Sequence, residues 1–245
     1  MAANRPRGVQ HSMNILAFDT CLDAVSVALG WTGADGSPRR THRWEERSTG
    51  HAERLFPMIA DVLAEAALPF SAIHRIAVTV GPGTFTGVRI GIAAARGFKL
   101  TSSCPVVGMT SLAVMALTAD RRLGAARAGR HLLVTVDARR GQVYALHTGS
   151  RLHDPLFAPV LLSIDAVVAA SPSAPLVVVG SGAPLVIDGL RARGIEAQAL
   201  LDDLKPDACD LLGVAETLTP LDAVHPLYIR APDAKPPAPR ASLRA

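Results

Sequence analysis

Apolar positions in this chain follow two alternating templates: short runs rich in β-branched residues, and longer stretches whose apolar residues recur every three or four positions. Ile15-Leu16-Ala17-Phe18-Asp19-Thr20 is an apolar run that ends in a polar turn, and Val25-Ser26-Val27-Ala28-Leu29 returns from it, which predicts a β-hairpin over 14–29. Residues 39–46 predict a third strand. The stretch 51–67 puts Leu55, Ile59, Val62, Leu63 and Ala66 on one face of a helix, with Ser48-Thr49-Gly50 ahead of it as cap. A buried-type strand over 73–80 follows, then a helix over 86–99 in which Val88, Ile92, Ala95 and Phe98 recur near helical spacing. A short strand at 105–107 and a helix from Thr110 complete the first half.

The pattern then starts again. Leu133-Val134-Thr135-Val136-Asp137-Ala138 runs into a turn and returns through Val143-Tyr144-Ala145-Leu146, so residues 132–146 superpose on 14–29 without a gap. Any two hairpins look somewhat alike, but the aspartate shared at the strand end favours duplication. A helix near Ile164–Ala170, a strand at Leu176–Val179, a helix near 184–193 and one more at 207–218 fill the second half. The predicted fold class is therefore α/β, with two domains of mixed sheets flanked by helices. The first covers 13–109 and the second 110–230, and the helix near 207–218 belongs to the second domain or packs back on the first. Residues 1–12 and the proline-rich 231–245 are expected to be disordered extensions.

Composition narrows the function classes. With 245 residues and 49% hydrophobic content the chain can bury a substantial core. Its apolar runs are too short or too interrupted by charge to span a bilayer, and no secretory core stands at the N-terminus, so a cytoplasmic protein without membrane contact is expected. Three scattered cysteines suggest neither a disulfide framework nor a zinc site. A net charge of +4 invites a nucleic-acid reading, but the excess sits in Arg5 and Arg7 at one end and Arg230, Lys235, Arg240 and Arg244 at the other. Two tryptophans and two tyrosines offer little surface for base stacking.

Candidate chemistry centres on Gly81-Pro82-Gly83-Thr84-Phe85-Thr86-Gly87-Val88-Arg89-Ile90-Gly91, a glycine-rich turn between the strand at 73–80 and the following helix. Two readings are open. Amides at a helix start favour an anion such as a phosphate, and glycines also let backbones approach closely in a purely structural turn. A P-loop is excluded because no Lys-Ser/Thr follows Gly87, and Thr86 stands where a third dinucleotide-fold glycine would fall. No two of the eight histidines are separated by three or four residues, so no helical metal pair is offered. His51, with Glu53 nearby, reads as a helix-start or packing residue.

Taken together, Met13–Val27 with Ile-Leu-Ala-Phe-Asp-Thr, His51-x-Glu53-Arg54-Leu55-x-Pro57, the segment from Gly81 to Gly91, and Pro226-Leu227-Tyr228-Ile229-Arg230 resemble the bacterial TsaB (YeaZ) family. The resemblance implies a duplicated actin-like, ribonuclease H-like fold and a place in the complex that makes threonylcarbamoyladenosine in tRNAs that decode ANN codons. It implies as partners TsaD, which performs the transfer, and TsaE, an ATPase, with a homodimer when the chain is alone and tRNA met only through the complex. TsaD carries a His-x-x-x-His metal pair, and Ser111 and Met115 stand at the matching positions here, a poor pair for a hard divalent metal. The resemblance thus implies a subunit without catalytic residues or a metal of its own, with ATP or ADP at most at a partner junction. By the same likeness Asp19, Gly83, Gly87, Gly180 and Gly182 are the candidate nucleotide contacts. His51, Leu55, Met58, Ile59, Val88, Ile92 and Ala95 are the candidate partner interface on the two helices. An active kinase-like or peptidase-like enzyme is the alternative.

Overall fold

A computed structural model describes residues 13–150 and 155–230. Among them the chain builds two sheets in the same connection order. The first half contributes β1 (Ile15–Asp19), β2 (Ala24–Thr32), β3 (Pro38–Glu46), α1 (His51–Ala66), β4 (Arg75–Thr79), α2 (Phe85–Ser102) and β5 (Val106–Met109). After α3 (Ser111–Leu123), the second half follows with β6 (His131–Asp137), β7 (Gln142–Thr148), β8 (Pro155–Ser163), α4 (Ile164–Ala170), β9 (Leu176–Val179), α5 (Ala183–Ala192) and β10 (Ala197–Ala199), before α6 (Ala208–Val214). The strand orders are β3-β2-β1-β4-β5 and β10-β9-β6-β7-β8. In each, an antiparallel three-strand meander meets two parallel strands reached through helices. In the register, Asp19 lies opposite Ser26 and Asp137 opposite Val143. The strands at Pro155–Ser163 and Ala197–Ala199 extend the prediction, and the last helix is shorter than the predicted 207–218.

Strand alternation divides the core into layers. On one face of the first sheet Leu16, Phe18, Val27, Ile76 and Val78 meet Leu55, Met58, Ile59 and Val62 of α1 and Val88, Ile92 and Ala95 of α2. The opposite face, with Ile15, Ala17, Ala28 and Ala77, is covered by Val114 of α3 and by Ala208, Leu211, Leu212 and Ala215 in and just after α6. The last helix therefore returns from the second half to close the first. α3 serves both sheets, because its Leu112, Met115, Ala116 and Ala119 pack on Leu132, Val134, Val136 and Val179 of the second. The far face of that sheet carries α4 and α5. Among the described residues no helix is long and apolar enough to cross a membrane.

The predicted partner patch is corrected here. Leu55, Met58, Ile59, Val88, Ile92 and Ala95 are all buried in the first-half core, and His51 is buried with its Nε2 2.8 Å from the Leu22 carbonyl oxygen. Helical spacing identifies an apolar face without saying what covers it, and the first sheet covers this one.

The predicted N- and C-terminal extensions, 1–12 and 231–245, lie outside the described residues.

The glycine turns are fitted by backbone contact. A Cβ on Gly87 would stand 2.1 Å from the Thr20 carbonyl oxygen, whereas a Cβ on Gly97, in the same helix, would meet nothing within 4 Å. Gly87→Ala should therefore cost on the order of 1–3 kcal/mol or more through overpacking against backbone. Gly97→Ala should be neutral or stabilise by up to about 1 kcal/mol through helix propensity. Urea-unfolding midpoints of the two variants check this contrast.

Candidate functional site

The two halves face each other across a cleft of about 800 Å³. One wall comes from the first half: Leu22 and Asp23 of the first hairpin turn, and Gly83, Thr84 and Phe85 at the start of α2. The other comes from the second hairpin with Asp137, Arg139 and Tyr144, together with Ser181 and Lys205. Tyr228 and Arg230 complete the mouth. One tie between the halves is Lys205 Nζ, which donates to Glu46 Oε1 at 2.7 Å.

The glycine-rich turns bring strand ends and helix starts together in the same way twice. Thr84 caps α2 by accepting the Gly87 amide, its own amide donates to the Cys21 carbonyl at 2.8 Å, and Thr20 Oγ1 donates to the Gly87 carbonyl at 2.7 Å. A Cβ on Gly83 would lie 2.2 Å from Cys21 O. In the second half the Gly182 amide donates to Thr135 O at 3.1 Å, and a Cβ on Gly180 would lie 2.3 Å from that same carbonyl. Of the two readings of these turns, close backbone approach is what their contacts display. Of the five candidate nucleotide contacts, only Gly83 lines the cleft; Asp19, Gly87, Gly180 and Gly182 are buried beside it.

The two repeat aspartates have diverged. Asp137 faces the cleft, where its carboxylate accepts the Arg139 amide at 2.7 Å and the Arg139 guanidinium at 3.1 Å. Asp19 is fully buried. Its Oδ1 accepts a short hydrogen bond from Thr79 Oγ1 and a longer one from the Cys21 amide, while Oδ2 has no hydrogen-bond partner among the described residues. The start of α6 lies over this end of the sheet, since the Ala208 amide donates to Oγ of Ser26, the register partner of Asp19. Burial pushes the Asp19 carboxyl up to about 7 against the pull of the Thr79 and Cys21 hydrogen bonds, with the nearby Asp207 adding to the rise. Asp207 is also buried, but its contacts with His42 and Arg121 outweigh desolvation and hold it below the usual carboxylate range.

Ser111 and Met115, which the resemblance sets against a metal pair, are wholly buried. The Ser111 amide donates to Gly81 O at 2.9 Å and its hydroxyl makes a short bond to Pro82 O, while the Met115 methyl lies beneath Gly180. Ser111 is committed to the turn before α2 and Met115 to the core of the second half. Sequence reasoning missed Tyr144, Arg139 and Lys205 as cleft residues, because nothing in local spacing marks them. Tyr228 and Arg230 carried a signal in the closing Tyr-Ile-Arg motif.

A buried carboxyl held at about 7, against an ordinary 3.8, keeps its proton in the folded chain at pH values where the unfolded chain has lost it. The associated stability is fully present below about pH 4 and is lost as pH rises towards 7, at up to about 1.4 kcal/mol per pH unit. Asp19→Asn should therefore gain on the parent protein between about pH 4 and pH 7 in urea-unfolding midpoints, and the difference should level off above that. A pH-independent difference between the two would contradict the neutral, buried carboxyl.

Comparison with known proteins agrees with this architecture. Residues 45–168, just over half of the chain, match the family model described as TsaD, tRNA N6-adenosine threonylcarbamoyltransferase. The tRNA threonylcarbamoyladenosine biosynthesis protein TsaB of Escherichia coli K12 is 41% identical over 132 residues, which are 54% of this chain and 53% of that protein. The chain thus spans about half the length of this relative. An uncharacterized protein of Mycobacterium tuberculosis H37Rv is 32% identical over 230 residues, covering 91% of this chain and 94% of its own. Among solved structures, YeaZ from Pseudomonas aeruginosa aligns with a TM-score of 0.72 at 29% identity, over 88% of this chain and 99% of that one. A second P. aeruginosa protein, described as similar to peptidase YEAZ, aligns at 0.74 and 29% identity over 89% and 100% of the two chains. With the duplicated actin-like fold and the glycine turns in place, the chain belongs to the TsaB (YeaZ) family.

Proposed function

We propose that this protein is a non-catalytic subunit of tRNA threonylcarbamoyladenosine biosynthesis, a cytoplasmic scaffold that pairs with TsaD, recruits TsaE and meets tRNA only through the complex. The observation that carries the reading is the fate of Ser111 and Met115. A hydroxyl and a thioether are poor ligands for a hard metal, and here they are also spent on a turn and on packing against the second sheet. Asp19 adds support, since a carboxyl sealed under α6 is withdrawn from the cleft. An ATP or ADP molecule would sit at the junction with a partner.

The docking surface in this reading is the outer side of α1 and α2, the side turned away from the first sheet. Phe56 is 51% exposed and Leu100 86% exposed. Ala60, Ala93 and Gly97 are exposed as well, and Phe98 stands edge-on to Phe56 at 6.0 Å. Small residues between apolar ones allow a second pair of helices to approach closely, which suits TsaD or, when the chain is alone, another copy of itself.

Reconstitution tests the function: tRNA modification with TsaC, TsaD and TsaE should be lost when this chain is left out, and unchanged activity on omission would remove the proposal. The interface has its own test. Phe56→Glu with Leu100→Glu changes only exposed positions, so the melting temperature should stay within about 2 °C of the parent, whereas co-purification with TsaD should fall below detection. Intact co-purification would move the interface elsewhere.

A further inference from the structure

The closing motif Pro226-Leu227-Tyr228-Ile229-Arg230 has a place in the structure that neither the scaffold reading nor the helix face accounts for. Residues 219–230 form neither helix nor strand, yet they are bound along most of their course. Two backbone bonds tie the segment to the first sheet, Leu221 N to Val106 O at 2.8 Å and Leu227 N to Val80 O at 2.7 Å. The rest comes from one side of α2. Lys99 Nζ donates to the carbonyls of Leu221 and Asp222, at 2.8 and 2.7 Å, and Arg96 Nε donates to Val224 O at 2.7 Å. Val224 is buried between these anchors. Positions 89, 96 and 99 lie near one side of a helix, so three cations hold a segment whose carbonyls would otherwise need water.

The attachment changes at the end of the segment. Tyr228 is partly exposed, stacks on the exposed Phe85 ring at 5.8 Å and accepts a 2.8 Å hydrogen bond from Arg89 Nε, whose guanidinium also lies 3.5 Å above the Phe85 ring. Arg230 then leaves the first half and donates to Gln142 Oε1 at 2.7 Å, at the start of β7 in the second. Tyr228 and Arg230 both line the cleft. A stem bound to the first sheet and α2 thus ends in a tip that reaches across the cleft.

We propose that residues 221–230 are a strap and that its tip, Tyr228 with Arg230, is a latch that holds the interdomain cleft closed. The stem on α2 fixes where the latch stands, and the Arg230–Gln142 bond sets how freely the second hairpin moves relative to the start of α2. Whatever enters the cleft must pass or release this tip.

Hydrogen–deuterium exchange on the full chain, read by mass spectrometry, tests the latch. Loss of a charged hydrogen bond is worth roughly tenfold in a local opening equilibrium. Arg230→Ala should accelerate exchange at residues 137–142 and 181–183 by about that factor, with strands β1 and β4 unchanged. Gln142→Glu, which turns the bond into an ion pair, should slow exchange at the same amides. In the Arg230→Ala background Gln142→Glu should have no effect, because the cycle isolates the pair. Unchanged rates at the cleft in Arg230→Ala, or equal effects of Gln142→Glu with and without Arg230, would overturn the proposal. So would acceleration spread evenly over both sheets, since that would make the strap general packing.

Discussion

Close approach of two backbones, made once in each half, is the constraint on which the rest of the structure depends. Gly87 stands against the Thr20 carbonyl and Gly180 against the Thr135 carbonyl, at separations that leave no room for a Cβ. These contacts fix where α2 and α5 leave their sheets relative to the ends of β1 and β6. The turn before α2 then fixes α3, because Ser111 binds the carbonyls of Gly81 and Pro82. α3 in turn packs on both sheets, so the position of one half against the other follows from turns a few residues long.

Duplication has been followed by a division of labour between the two halves. The first hairpin end is closed: α6 returns across it, Ser26 takes the Ala208 amide, and Asp19 is left buried, its carboxyl pushed up to about 7 by burial. The corresponding end of the second half stays open, and Asp137 looks into the cleft beside Arg139 and Ser181. Of the two matching strand ends, one has become core and the other faces the cleft. Together with the burial of Ser111 and Met115, this supports the proposed role of a subunit that works through its partners. The outer side of α1 and α2 remains available for that, because the strap from 221 to 230 occupies a different side of α2, the one bearing Arg89, Arg96 and Lys99.

Most elements were legible along the chain because their signals are local. The apolar run in Ile15–Asp19 and helical spacing in His51–Ala66 each report buried positions within one element, and the repeat of the first hairpin in the second revealed the duplication. β8 and β10 carried weaker signals: one contains prolines and the other is three residues long. The site was less legible. Leu55, Met58, Ile59, Val88, Ile92 and Ala95 have the same spacing whether a sheet or a partner covers them, and only the packed structure showed the sheet.

By itself, the sequence determined the order of elements, the duplicated α/β fold and the glycine turns, because all of these reside in residue type and short-range spacing. Tertiary structure decided which apolar faces are covered, that α6 returns to the first sheet, that Asp19 is sealed while Asp137 is open, and that Arg230 meets Gln142. The Arg230–Gln142 and Ala208–Ser26 contacts join residues 88 and 182 positions apart, and no local pattern encodes which distant surface will arrive to cover a given face.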